Sequence, residues 1–287
     1  MPTPHPASSS AQAARLALAS RLRDLRLDAQ LSARTLAARA GWHESKTSRI
    51  EHGKKRPTES DLTAWAHACG TPELLPELIA ELRAVDSAWL DWRRAEKTGL
   101  THLNVAVREL YERTRIYRSY CQDVIPGLLQ TAAYTTSTLS AIRDNREVPV
   151  DDVTDAVAER MARQHILYEG DHRFVFILEV AALTYRRGGP EVMIGQLGFL
   201  LKAMALPSVS LAVIPSHIER AGRWPVENFY IFDDVQANVE LVSGFLTITQ
   251  PREIAMYMQT FARFHEIAVF GRQARGIIEA AIDSLQQ

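Results

Sequence analysis

The sequence predicts two domains of different class: a mainly α N-terminal domain, then an α/β (α+β) C-terminal domain with a small sheet covered by helices. Three observations support this division. Apolar residues recur at helical spacing from Leu18, Leu22 and Leu25 onward. Runs of strand-forming residues begin only at Arg173 and alternate with helical segments. Residues 1–70 carry eleven Lys or Arg against six Asp or Glu, whereas the remainder carries 22 against 28.

The first residues divide into a predicted disordered segment and a predicted helix. Residues 1–10 are rich in Pro, Ser and Thr, which predicts disorder. The segment from Ala11 to about Asp28 places leucines on one side and arginines on the other, so we expect a helix that supports the segment after it.

Two short helices joined by a tight turn are predicted within Leu31 to Pro57. Ser32 can cap a helix that runs to Ala40, because its hydroxyl can accept a bond from a first-turn amide. Gly41 then ends that helix, since glycine readily adopts the left-handed conformation of a helix stop. His43 stands at the cap of a second helix, Glu44 to His52, and Gly53 ends it.

The second of these helices has a buried and an open face. If it packs against the first, five side chains of the two helices and their turn point inward: Leu36, Ala40, Trp42, Thr47 and Ile50. Ala37 lies where the helices approach most closely. The outward set is short, polar and basic, and its residue types suit base edges in a major groove: Glu44, Ser45, Lys46, Ser48 and Arg49. A second basic set suits phosphate contacts: Arg34, Lys54, Lys55 and Arg56.

A simpler interpretation is that any helical hairpin of an all-α protein could show this periodicity. The glycine stop, the caps, the polar face and the basic loop agree with one another, which favours a helix-turn-helix that reads DNA. Thr58 can cap one more helix, Glu59 to Cys69, and residues 70–72 end this domain. The predicted division is therefore a DNA-binding domain over 11–72, a helical linker over 73–105 and a separate C-terminal domain over 106–287.

The N-terminal segment resembles the Xre family of bacterial helix-turn-helix regulators. The family pattern L-A-x-x-A-G stands here at Leu36 to Gly41, and S-R-I-E-x-G stands at Ser48 to Gly53. The resemblance implies a five-helix, lambda-repressor-like DNA-binding domain, with an ion pair between Arg26 and Glu51. One departure is Thr47, where the family usually has Ile or Val. Its hydroxyl needs a hydrogen-bond partner once buried.

The C-terminal part is predicted to contain helices and four strands. Helices are expected over 73–97, 103–111, 131–142, 152–168, around 192–201, and over 251–270 and 273–285, with a loop over 143–150. The predicted strands are Arg173 to Glu179, Ser210 to Pro215, Phe229 to Phe232, and Ala237 to Val242.

This part also carries a resemblance. The segments IPGLLQT at Ile125 to Thr131, R-x-x-R-Q at Arg160 to Gln164, LEVAAL at Leu178 to Leu183 and SLAVIP at Ser210 to Pro215 are similar to a domain of unknown function in antitoxin-like Xre regulators. The likeness covers about residues 110–275. It implies that residues 106–287 form a regulatory or partner-binding domain, which receives a small acidic protein encoded nearby or another signal.

Catalytic and cofactor motifs were sought in the sequence. It has no G-x-x-x-x-G-K-[ST], no G-x-G-x-x-G after a strand and no G-x-S-x-G. The nine histidines show no metal-ligand spacing, so we expect no cofactor, no metal and no enzymatic activity. Cys69 and Cys121 stand far apart, and neither a signal peptide nor a membrane span is predicted, which favours a reduced, cytoplasmic protein.

Four polar residues of the C-terminal part have two open interpretations. Glu179 interrupts an apolar strand, so its carboxylate needs either a buried partner or a cavity. Arg186 or Arg187 is the candidate partner, whereas a cavity would make Glu179 a ligand-binding residue. Arg160, Arg163 and Gln164 either pair within the fold or line a pocket.

These observations predict a homodimeric, sequence-specific DNA-binding transcriptional regulator. Two reading helices about 34 Å apart would enter successive major grooves, so the operator should be a short inverted repeat. Two alternatives remain open. The C-terminal part is an interaction module whose main role is to bind a small protein partner, or it senses a metabolite or catalyses a reaction.

Overall fold

The computed structural model describes residues 9–87 and 89–286, and the chain divides into two compact units, residues 1–90 and 91–287. The predicted disordered segment, residues 1–10, lies outside the described residues up to position 8. Ser9 and Ser10 belong to the first helix, which therefore begins earlier than predicted.

The first unit is built from helices, as predicted. Within its described residues the α-helices are α1 (Ser9–Asp28), α2 (Ala33–Ala40), α3 (Glu44–Glu51), α4 (Glu59–Cys69) and α5 (Leu75–Ser87). The core contains Trp65, which is fully buried and donates from Nε1 to the Leu22 carbonyl at 3.0 Å. Leu36, Ile50 and Leu62 complete the centre of the core with no solvent exposure.

The predicted helix caps of the first unit are all formed. Ser32 accepts from the Thr35 amide at 3.0 Å. His43 accepts from the Ser45 amide through Nδ1 at 3.2 Å. Thr58 forms a capping box with Asp61, in which each side chain accepts from the other residue's amide. Gly41 ends α2 at a φ of 74°, so it supplies the left-handed conformation that the stop requires.

The second unit contains a mixed sheet and a second set of helices. The short strand β1 (Trp89–Asp91) lies at the unit boundary. The strands after it are β2 (Ile116–Cys121), β3 (Arg173–Glu179), β4 (Val209–Ile214), β5 (Phe229–Phe232), β6 (Gln236–Leu241) and β7 (Gly244–Ile248). The helices are α6 (Trp92–Ala95), α7 (Thr101–Ala106), α8 (Arg108–Arg113), α9 (Ala132–Arg146), α10 (Val153–Arg163), α11 (Val180–Thr184), α12 (Pro190–Ala203), α13 (Pro251–Ile267) and α14 (Gly271–Leu285).

The six strands of the second unit run in the order β7-β6-β5-β2-β3-β4. β2, β3 and β4 are parallel, and the other neighbours are antiparallel. Tyr117 of the central strand β2 stands opposite Phe174 of β3 and Phe232 of β5, and all three side chains join the core beneath α12 and α14. Tyr120 points to the other face and stacks on Phe264 of α13 at 4.3 Å between ring centroids. Helices therefore cover both faces of the sheet.

Several elements differ from the sequence prediction. Strands β1, β2 and β7 were not predicted. β1 lies within the predicted helix 73–97, and the β2 sequence, IYRSYC, has a polar middle. α9 continues to Arg146, so the predicted loop over 143–150 begins later. The predicted linker, residues 73–105, is divided between the two units. Leu78 and Leu82 of α5, four residues apart on one helix face, are buried in the first unit.

Candidate nucleic-acid interface

Helix α3 is held in the first unit by its buried face. Ile50 and Thr47 are fully buried, and three residues apart they define one side of the helix. The Thr47 hydroxyl, whose partner the sequence left open, accepts from Trp42 Nε1 at 2.9 Å. The buried Thr47 therefore has a hydrogen-bond partner in the core, and this bond holds Trp42 against α3.

The opposite face of α3 is open to solvent. Glu44, Ser45, Ser48 and Arg49, four of the five residues predicted to face bases, are all exposed. Ser45, Ser48 and Arg49 are spaced three and four residues apart, so they form one stripe along the helix. Arg49 donates from Nε to the Ser45 carbonyl at 3.3 Å, which holds its guanidinium along that stripe. This open face presents hydrogen-bond donors of the kind that match acceptors on base edges in a major groove.

Lys46, the fifth predicted base-facing residue, is placed differently. Its Nζ lies 2.5 Å from Asp61 Oδ1 and 4.4 Å from the centre of the Trp42 ring, and its side chain is only 24% exposed. Lys46 therefore joins α3 to the start of α4 rather than facing outward with Ser45 and Arg49. The helical pattern of α3 alone could not show this, because the partner comes from the capping box of another helix.

Asp61 is the acidic member of that capping box. Burial would raise the pKa of its carboxyl, but hydrogen bonds from Lys46 and from the Thr58 backbone outweigh burial, so the pKa lies below its usual value. Asp61 thus stays ionised and keeps Lys46 in place.

The predicted phosphate contacts lie at the ends of α2 and α3. Arg34 is exposed in the first turn of α2. After α3 the backbone turns at Gly53, with a φ of 61°, and the amides of Lys54 and Lys55 both donate to the Arg49 carbonyl at 2.8 and 2.9 Å. This loop thereby brings its basic residues next to the open face of α3. Lys54 and Arg56 are exposed and Lys55 is half-buried.

The ion pair that the family resemblance implies is present. Arg26 of α1 donates to Glu51 of α3 from Nε at 2.5 Å and from Nη2 at 3.0 Å, and from Nη1 to the Leu31 carbonyl at 2.7 Å. The two side chains are only 10% and 5% exposed. The hydrogen bonds that Arg26 donates to Glu51 raise the pKa of Arg26. The pair fixes the end of α3 relative to α1, and so fixes the orientation of the open face.

Three of the four polar residues singled out in the C-terminal part lie together. Arg160 donates from Nε to Asn104 Oδ1 at 2.9 Å and from Nη1 to Gln130 Oε1 at 3.3 Å. Arg163 donates to the Asn104 carbonyl at 3.3 Å, and Gln164 donates to the Gln130 carbonyl at 2.6 Å. Both arginines line a cavity of about 180 Å³ in the second unit. The segments R-x-x-R-Q and IPGLLQT, distant in the sequence, therefore meet at one place.

Glu179, the fourth of these residues, lies elsewhere and has a different partner from the one predicted. Its carboxylate accepts from Tyr120 Oη at 2.8 Å and forms a two-pronged ion pair with Arg220. Arg186 and Arg187 were the wrong candidates. The partner, Arg220, lies in the loop between β4 and β5, and the sequence of this loop has no periodic pattern that could have predicted its position. The charge of Glu179 is satisfied within the fold.

Sequence reasoning missed the neutral residues that organise the C-terminal cluster. Gln196 of α12 is fully buried, accepts from the Thr131 amide at 2.7 Å and donates to the Leu129 carbonyl at 2.6 Å. Asn104 accepts hydrogen bonds from both Arg160 and Arg163, and Gln130 accepts one from Arg160. The one available signal was a Gln among the apolar residues in the middle of α12, since a buried amide needs partners on both its donor and acceptor sides.

Two features are absent from residues 9–87 and 89–286, which the structure describes. No helix among them is long and apolar enough to cross a membrane. Within the same residues, no group of three or more His, Cys, Asp and Glu side chains is placed to hold a metal ion.

Comparisons with known proteins give two family matches. Residues 17–82 match a helix-turn-helix domain, and residues 106–280, which are more than half of the chain, match a domain of unknown function, DUF5753. No curated protein and no solved structure matches the chain. The first match contains the open face of α3, and the second contains the cavity and the Glu179 pair.

Proposed function

This chain belongs to the family of the domain of unknown function DUF5753, and from that membership and the helix-turn-helix domain ahead of it we propose a sequence-specific DNA-binding transcriptional regulator of the Xre type. We propose a regulator rather than an enzyme. The single observation that supports DNA reading best is the open stripe of α3, Ser45, Ser48 and Arg49, with Lys54 exposed in the loop beside it. Selection of bound sequences from random DNA by the full chain tests the proposal, and recovery of no common sequence contradicts it.

The regulator is proposed to act as a homodimer on an inverted repeat. An eight-residue reading helix reaches only a few base pairs, so a second copy is needed for a long operator. Helix-turn-helix dimers place their half-sites about 34 Å apart. The selected sequences should therefore contain two copies in opposite orientation, separated by about one turn of DNA.

Control is proposed to come from a small acidic partner protein that binds the C-terminal domain. The support is the family resemblance of residues 110–275. This part of the chain is acidic on balance, so such a partner would need a locally basic or apolar surface on it. Co-expression with the product of the adjacent gene tests this, because the full chain should retain the partner and a chain ending at residue 90 should lose it.

Arg49→Ala is expected to weaken operator binding by about 1 to 3 kcal/mol and to relax the preference at one position of each half-site. An arginine can donate two hydrogen bonds to one guanine, and this discrimination is lost with the guanidinium. Affinities for the operator and its single-base variants measure the effect. Arg275→Ala, an exposed arginine on α14, is the matched control and should leave binding unchanged. An unaltered preference at every position contradicts the assignment of Arg49 to a base.

Lys54→Ala is expected to weaken binding to all sequences about equally and to reduce the salt dependence, the slope of log K against log salt, by about one unit. Its exposed ammonium beside α3 suits a phosphate, which carries no sequence information. Lys202→Ala, which removes an exposed lysine of the second unit, should change neither quantity. A changed base preference with an unchanged slope reassigns Lys54 to the bases.

A further inference from the structure

The cavity of the second unit has an aromatic wall and a charged wall. Its aromatic residues include Trp92, Tyr111, Tyr230 and Phe245. Its charged residues are three arginines, at positions 146, 160 and 163, and two glutamates, at positions 96 and 240. The cavity measures about 180 Å³, whereas a single water needs about 10 to 15 Å³, so it can admit a small organic molecule.

The charges of the cavity are not evenly paired. Arg146 bonds both glutamates, with 2.7 Å from Nη1 to Glu96 and 3.0 Å from Nη2 to Glu240. Every acceptor that Arg160 and Arg163 use within the described residues is neutral, namely two amide oxygens and one backbone carbonyl. With three positive and two negative groups, the lining carries a formal charge of +1.

Arg163 carries this excess positive charge into the interior, and Arg160 beside it is half-buried. Arg163 is 5% exposed, and its Nε has no hydrogen-bond partner among the described groups. Burial lowers the pKa of Arg160 from its usual value, and the positive charge of Arg163 lowers it further. Because a guanidinium stays protonated in proteins, the two arginines are charged, desolvated and short of acceptors. A cluster that served packing alone would be expected to bring a carboxylate to them, as the fold does for Arg146 and for Arg220.

We propose that this cavity binds a small organic acid with one carboxylate and a flat apolar body, the carboxylate at Arg160 and Arg163 and the body against the aromatic wall. Guanidinium groups match the two oxygens of a carboxylate. A single negative charge balances the lining, whereas a phosphate dianion would exceed it. Arg163 itself stacks on Tyr111, with 4.6 Å from its Cζ to the ring centre, so the carboxylate site and the aromatic wall are continuous. The proposal concerns the second unit alone and does not depend on DNA binding.

Titration of the full chain with benzoate, phenylacetate and 3-phenylpropanoate tests the proposal, with benzamide and inorganic phosphate as comparison compounds. At least one of the three carboxylates should bind by calorimetry and raise the melting temperature. It should also slow hydrogen exchange in peptides that cover residues 125–131 and 153–163. Benzamide lacks the charge and phosphate lacks the apolar body, so both should bind more weakly. Failure of all three carboxylates to bind, or equal binding by benzamide or phosphate, overturns the proposal.

Two variants locate the site. Arg160→Gln and Arg163→Gln should each weaken carboxylate binding about tenfold or more, the loss typical of removing a hydrogen bond to a charged group. Arg263→Gln removes an exposed arginine from the C-terminal half of α13 and should leave binding unchanged. An equal loss in Arg263→Gln contradicts the assignment, as does retention of full affinity in both cavity variants. If a cavity variant does not fold, the comparison of carboxylate with benzamide on the unaltered chain still decides.

Discussion

Replacing Glu51 by alanine is expected to lower the free energy of unfolding of the N-terminal unit by about 3 to 5 kcal/mol, the usual cost of breaking a buried ion pair. The Arg26 guanidinium would keep only its hydrogen bond to the Leu31 carbonyl and would stay buried with an uncompensated charge. Hydrogen exchange of the full chain measures the loss separately in each unit, so the amides of α1 and α3 should lose protection while those of the sheet do not.

A double-mutant cycle separates the ion pair from the other effects of this substitution. Arg26→Ala and Glu51→Ala together should cost less than the sum of the two single substitutions, because the second change removes the charge that the first left unpaired. Glu73→Ala, at an exposed glutamate of the same unit, should change stability by less than about 0.5 kcal/mol. Strict additivity of the two single effects would show that Arg26 and Glu51 do not interact.

Replacing Gln196 by alanine is expected to destabilise the C-terminal unit by roughly 2 to 4 kcal/mol, because a buried group left without its partner costs about 1 to 3 kcal/mol. The amide of Gln196 satisfies two backbone groups, the Thr131 N–H and the Leu129 carbonyl, and no solvent reaches it. Both groups lie in the segment that carries Gln130, so the segment should loosen where it meets Arg160. Exchange of the amides over residues 127–131 and chemical denaturation of the full chain measure the two effects.

The control for Gln196 is Gln259→Ala, since Gln259 is an exposed glutamine in the middle of α13. That change should alter stability by less than about 0.5 kcal/mol, because no buried group loses a partner. Gln196→Glu keeps one acceptor but removes the donor to Leu129, so its loss should be at least as large as that of alanine. If Gln196→Ala is no more destabilising than Gln259→Ala, the two hydrogen bonds do not hold this segment.

The first unit could be predicted in detail because its signals are local. A cap is formed by residues two or three positions apart, and a glycine stop acts on its own helix, so Ser32, Gly41, His43 and Thr58 could be read directly. The periodicity of α3 also predicted that Thr47 and Ile50 are buried. Lys46 was misplaced because its partner, Asp61, is fifteen residues away and belongs to a different helix.

The second unit was predicted less completely because its signals are not local. Strand β2 pairs with strands that are far away in the sequence, so its neighbours could not be recognised locally. Its polar middle, Arg118 and Ser119, also hid the alternation typical of a strand, although most of β2 is buried. The partner of Glu179 was wrongly predicted because proximity in sequence favoured Arg186 and Arg187, whereas the fold brings Arg220 to it. Neither error could be corrected from the residues alone.

The sequence by itself determined the helical N-terminal domain, most of the exposed side of α3 and the two-part composition of the chain, since helix periodicity and caps depend on residues within one or two turns. Beyond the Arg26–Glu51 pair that the family resemblance implies, only the tertiary structure decided which charges are neutralised. It pairs Lys46 with Asp61 and Glu179 with Arg220, and it leaves Arg160 and Arg163 with neutral acceptors. The physical reason is that an ion pair depends on distance in space, which the packing of distant segments sets.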